Sequence, residues 1–101
     1  MLWLEAPAGV GFSYSRTPSD YNTNDTVTAD DNFQALLLFF KGFSEFASND
    51  FYISGESYAG VYIPTLANRI HEGNSNGESN IPLKGILVGN GCTGNSIGTC
   101  R

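Results

Sequence analysis

The chain has 101 residues, room for one small domain, and its make-up is globular: 41% hydrophobic, 13% aromatic and 15% charged. That balance excludes a disordered tail and a fibrous repeat. A formal net charge of −5, with the five basic residues scattered singly, excludes a phosphate-tracking surface, so no nucleic-acid partner is expected.

Leu2-Trp3-Leu4 is apolar and aromatic, stops at Glu5-Ala6-Pro7, and reads as the end of a buried strand. No basic leader precedes it, so no signal peptide is expected within these residues. Pro7-Ala8-Gly9-Val10-Gly11-Phe12 follows as a glycine-rich loop. Gly9-Val10-Gly11 lacks a third glycine and runs into polar loop residues instead of a helix, so no dinucleotide is expected there. Asn24-Asp25-Thr26 is a sequon in a polar stretch, which makes Asn24 an acceptor for an N-linked glycan on a secretory route.

Thr28 and Asp31 have the spacing of a capping box ahead of a helical pattern. Phe33, Leu36, Leu37 and Phe40 repeat at helical spacing, and Leu38 and Phe39 widen the apolar surface, so most of this helix is expected to be covered. Its apolar run, Ala35 to Phe40, is too short to span a bilayer. Phe51-Tyr52-Ile53 is a short β-rich run ending at Ser54-Gly55, and a second helix is expected from Ser57 with a break or restart at Pro64. Gly73 to Asn80 reads as a polar loop, and Lys84 to Gly89 as a third buried strand.

The order strand, helix, strand, helix, strand predicts an α/β fold whose parallel sheet is covered on both faces. Three strands would leave long unpaired edges. Residues 1–101 are therefore expected to be the central segment of a larger α/β domain, incomplete at both ends.

The chemistry lies in Phe51-Tyr52-Ile53-Ser54-Gly55-Glu56-Ser57-Tyr58-Ala59-Gly60. A strand runs into a turn with glycine before the serine and small residues after it, and a helix follows. A nucleophile elbow needs that context, because small neighbours let the strained serine sit above the sheet. The helix N-terminus behind Ser57 favours developing negative charge, and the backbone N–H of Tyr58 would supply half of an oxyanion hole.

The chain resembles the serine carboxypeptidase family over nearly its whole length. The matching pieces are Leu4-Glu5-Ala6-Pro7-Ala8-Gly9-Val10-Gly11-Phe12-Ser13-Tyr14-Ser15, Gly55-Glu56-Ser57-Tyr58-Ala59-Gly60, and Leu83-Lys84-Gly85 through Val88-Gly89-Asn90-Gly91. Ala59-Gly60 is the family's own ending of the elbow, and Ala6 stands where the family usually has serine. The resemblance implies an α/β-hydrolase fold, partial here, and a serine-type peptidase that removes C-terminal residues through an acyl-enzyme on Ser57. Its partner is a peptide with a free C-terminus, with no metal and no organic cofactor.

By the same resemblance Glu56 helps to bind the substrate's terminal carboxylate. Two close carboxylates share a proton, so activity is expected to favour acid. The compartment implied is a lysosome, a vacuole or the cell exterior. Acyl transfer to an alcohol in place of water is the alternative within the fold, and a truncated, non-catalytic product is the alternative outside it.

His71 is not expected to be the triad base, because it lies about four turns along the helix that starts at Ser57. Asp30, Asp31 and Asp50 precede Ser57, whereas in this fold the acid and the histidine follow it. Asp30 and Asp31 suit the first turn of a helix, and Tyr14, Tyr52 and Tyr62 suit packing. With no acid and no base in reach, the 101 residues alone are expected to be inactive. For Cys92 and Cys100, a mutual disulfide, pairing outside the chain and two unpaired thiols all stay open, as does the oligomeric state.

Overall fold

The computed structural model describes residues 1–94. Asn24 is extended, with φ −146° and ψ 178°, and its side-chain oxygen accepts from the Val27 N–H at 2.9 Å. Satisfying one of the orphan donors in this way starts helix α1 at Asp25, and it runs Asp25–Gly42. The Thr28–Asp31 capping box is thus corrected. Thr28 lies inside the helix, is buried, and has its hydroxyl 3.1 Å from that of Thr23. Asp30 and Asp31 accordingly fall in the second turn.

Phe33 and Leu36 of α1 are buried, and Leu37 and Phe40 pack at the edge of the same core. The expected cover over the rest of α1 is not found, since Leu38 is 69% exposed. The reason is geometric: a helix touching one layer can bury only one stripe. Phe39 instead meets Phe43 and Phe46, with ring centroids 5.1 and 6.2 Å apart, across the short 3₁₀ turn Ser44–Phe46.

Strand β1 spans Phe51–Glu56 and pairs in parallel with β2, Leu83–Gly89, with Ile53 opposite Ile86 and Glu56 opposite Gly89. Helix α2, Ala59–Ser75, makes the crossover between them and packs on both strands and on α1. The core is Phe33, Leu36, Ile53, Ile63, Leu66, Ile70 and Ile81, with Phe33 and Ile70 fully buried. Burial of each such side chain stabilises by about 1.5–3 kcal/mol. Asn74 delivers the chain into β2: its side-chain oxygen accepts from the Ile81 N–H at 2.9 Å, and its amide donates to the Ile81 carbonyl at 2.8 Å.

Further sequence expectations are corrected. Leu2-Trp3-Leu4 is not a strand and is not buried, with Trp3 81% exposed. A strand needs a ladder partner, and β1 and β2 pair with each other. β2 is not a buried strand either, because Ile86 and Leu87 face outward and the sheet is covered chiefly by α2.

Pro64 neither breaks nor restarts the helix, for α2 is continuous through it. Ile63, Leu66 and Ile70 anchor the turns on both sides of it in the core. The Thr65 hydroxyl donates to the Val61 and Tyr62 carbonyls at 2.8 and 3.1 Å. Tertiary packing thereby overrides a local preference worth about 3 kcal/mol. Tyr14 and Tyr52, expected to pack, are 73% and 56% exposed.

Candidate active site

β1 ends at Glu56, α2 begins at Ala59, and the chain must reverse in the two residues between. It does so by placing Ser57 at φ 59°, in the left-handed region that residues with a Cβ avoid. The strain is held from the β2 side. The Ser57 N–H donates to the Gly89 carbonyl at 3.0 Å, and the Ser57 carbonyl accepts from Cys92 and Gly60, both at 2.9 Å.

The small residues around the turn are demanded by space. A Cβ on Gly60 would lie 2.6 Å from the backbone of Cys92, and one on Gly55 would run into the Ala59 methyl. Gly91 in turn could carry a Cβ only 3.2 Å from the Cα of Gly60. Backbone meets backbone here, and Ser57 is left exposed at the top of the sheet.

Tyr58 caps α2 without a side-chain cap bond. Its N–H takes no backbone partner among the described residues, so a donor stands beside the serine at the positive end of a 17-residue helix. Its hydroxyl donates instead to Asp25 in the first turn of α1, at 3.2 and 3.3 Å from the two carboxylate oxygens. That hydrogen bond and the charge of Asp25 hold the phenol above its ordinary pKa, with smaller contributions from desolvation and from Tyr62. The rings of Tyr58 and Tyr62 meet edge to face at 4.9 Å.

The sequence candidates thus separate. Glu56, Ser57 and Tyr58 are adjacent and exposed at one end of the sheet. His71 is exposed on α2, twelve residues beyond its first, or ~18 Å along the axis. Asp30 pairs with Arg69 at 2.6 Å, and Asp50 sits 3.9 Å from Lys84. Arg69 also pairs with Glu78 at 2.8 Å and lies 4.0 Å over the Phe33 ring. Its pKa is raised first by Glu78 and then by Asp30, and that of Glu78 is lowered chiefly by Arg69.

Asn24 is exposed while capping α1, with its oxygen engaged. Cys92 is buried against the elbow, and Cys100 lies outside the described residues, as does any bond between the two. Among the described residues no group of three or more His, Cys, Asp and Glu side chains gathers to hold a metal, and no helix is long and apolar enough to cross a membrane. Sequence reasoning missed Asp25, whose partner is 33 positions away and leaves no local signal. It also missed the backbone of Gly89 and Cys92, which acts through N–H and C=O groups common to all residues.

The Pro7–Ser13 loop is built by other means. Gly9 and Gly11 take φ 96° and 51°, and the Glu5 carboxylate accepts from the N–H groups of Phe12 and Ser13 at 2.6 and 2.9 Å. The Ser13 hydroxyl donates to the Glu5 carbonyl at 2.7 Å.

Residues 1–99 match the family model described as serine carboxypeptidase. The chain is 54% identical over 94 residues to serine carboxypeptidase-like 21 of Arabidopsis thaliana, covering 92% of this chain and 19% of that protein. It is 52% identical over 92 residues to serine carboxypeptidase 1 of Hordeum vulgare, covering 90% and 18%. The chain therefore spans about a fifth of the length of these relatives. Among solved structures it is similar to Kex1(delta)p, a prohormone-processing carboxypeptidase from Saccharomyces cerevisiae. The TM-score is 0.71 and the identity 31%, over 86% of this chain and 20% of that one.

Proposed function

Since this chain belongs to the serine carboxypeptidase family, we propose that it is the nucleophile-bearing segment of an enzyme that releases C-terminal residues from peptides. The observation that carries the reading is Ser57 at φ 59° between β1 and α2, a strain retained where glycine would relieve it. Glycine would lack the hydroxyl. In the reaction Ser57 Oγ attacks the carbonyl of the last peptide bond, and its proton passes to a base supplied from beyond these residues. The oxyanion is received by the Tyr58 N–H, the leaving amino acid takes the proton, and water hydrolyses the acyl-enzyme.

Glu56, exposed at the end of β1, binds the terminal carboxylate of the substrate through a shared proton, so turnover favours acid. The enzyme works in a lysosome, a vacuole or outside the cell. Asn24 fits a glycan there, since its amide oxygen caps α1 while the residue stays exposed. Residues 1–101 alone do not turn over substrate, because His71, the one histidine in the sequence, is remote from Ser57 along α2.

The test is a chimera in which this segment replaces the matched residues of the barley serine carboxypeptidase 1. It is expected to react with a fluorophosphonate probe and to release C-terminal residues, both abolished by Ser57→Ala. The isolated chain is expected to remain unlabelled. Labelling of the chimera that survives Ser57→Ala would remove Ser57 from the nucleophile's role. Peptidase activity that climbs steadily from acid to alkaline pH would remove the proton-sharing role of Glu56.

A further inference from the structure

Backbone bonds from Gly89 and Cys92 at the end of β2 and from the first turn of α2 grip Ser57. None of them reaches the side chain of Tyr58. What does is a bond from a distant part of the chain, the Tyr58 hydroxyl donating to both carboxylate oxygens of Asp25. Asp25 is itself well placed to be a fixed point. It is the first residue of α1, directly after a helix cap made by Asn24, and α1 is anchored to α2 through Phe33, Leu36, Leu66 and Ile70.

We propose that Asp25 is a positioning residue for the reaction, holding the Tyr58 phenol and thereby the direction of the Tyr58 N–H beside Ser57. The inference rests on the nucleophile reading above and adds the residue that orients its oxyanion donor. A sparsely populated backbone conformation persists only where its surroundings over-determine it. The peptide after Ser57 is the one that has to point at the developing charge. Tethering the Tyr58 ring at its far end, with Tyr62 against its edge, removes the rotation that would swing that peptide away.

The experiment uses the barley-frame chimera and measures the fluorophosphonate acylation rate together with kcat and KM on a peptide. Asp25→Ala and Tyr58→Phe are each expected to slow acylation about tenfold through kcat, with KM little changed. The double variant is expected to be no slower than either single one, because both remove the same bond. Asp25→Asn keeps an acceptor oxygen and is expected to recover most of the rate. Losses that multiply to about a hundredfold in the double variant, or rates left unchanged in both single variants, overturn the tether. A parent chimera that fails to label overturns the nucleophile reading, and the tether with it. A parent that labels through Ser57 beside unchanged Asp25 and Tyr58 variants overturns the tether alone.

Discussion

In the loop from Pro7 to Ser13 the left-handed backbone falls on glycines, Gly9 and Gly11, whereas at the elbow it falls on Ser57 with glycine available two residues before and three after. The loop is held by a side chain, the Glu5 carboxylate, and the elbow by backbone groups of Gly89 and Cys92. Glycine serves different ends in the two places. Gly9 and Gly11 supply a conformation, while Gly55 and Gly60 supply room. The difference teaches that strain on a side-chain-bearing residue, with glycines spent on clearance around it, marks the position where the side chain itself is wanted.

Four substitutions would break or sharpen this contrast. The largest effect is expected from Gly60→Val, whose Cβ would meet the Cys92 backbone at 2.6 Å. No flexible side chain is there to yield, so in the barley-frame chimera denaturant unfolding should show a loss of about 3 kcal/mol together with loss of probe labelling. A loss under about 1 kcal/mol would mean that the elbow is not packed backbone to backbone.

Gly11→Ala forces a Cβ into the Glu5 carboxylate at φ 51°. The expected loss is roughly 1–2 kcal/mol, confined to faster hydrogen exchange and proteolysis between Glu5 and Ser15 with acylation at Ser57 unchanged. Ser57→Gly should act with the opposite sign, stabilising by about 1 kcal/mol in the same unfolding assay while abolishing labelling. If it destabilises instead, the strain reading of the elbow fails.

The smallest effect is electrostatic and lies outside both turns. Glu78 has a lowered pKa in the folded state because Arg69 faces it, so the pair stabilises above the ordinary carboxylate range. That stabilisation is lost as the pH falls through the folded value. Arg69→Met should flatten this acid-side slope and lower the unfolding midpoint at neutral pH by less than about 5 °C, since the pair is partly exposed.

Some of this architecture could be read directly from the chain. Phe51 to Gly60 announces strand, tight turn and helix by residue type alone, because the clearance the turn requires admits only small side chains at Gly55, Ala59 and Gly60. The helical repeat of Phe33, Leu36, Leu37 and Phe40 likewise named the buried stripe of α1. The capping-box spacing sets its start four residues late, although an asparagine followed by an aspartate is itself a helix-start signal. Leu38, Leu87 and Trp3 were assigned to the interior on hydrophobicity, which does not say whether another layer exists to cover them.

By itself, then, the sequence determined the α/β class, the elbow and the identity of Ser57 as its apex, because these depend on local volume and on backbone preference. The tertiary structure decided that α2 runs unbroken through Pro64 and that Asp25 reaches the elbow. Each of those depends on which helix packs against which, and that is settled by long-range burial of Phe33 and Ile70 and not by any neighbouring residue.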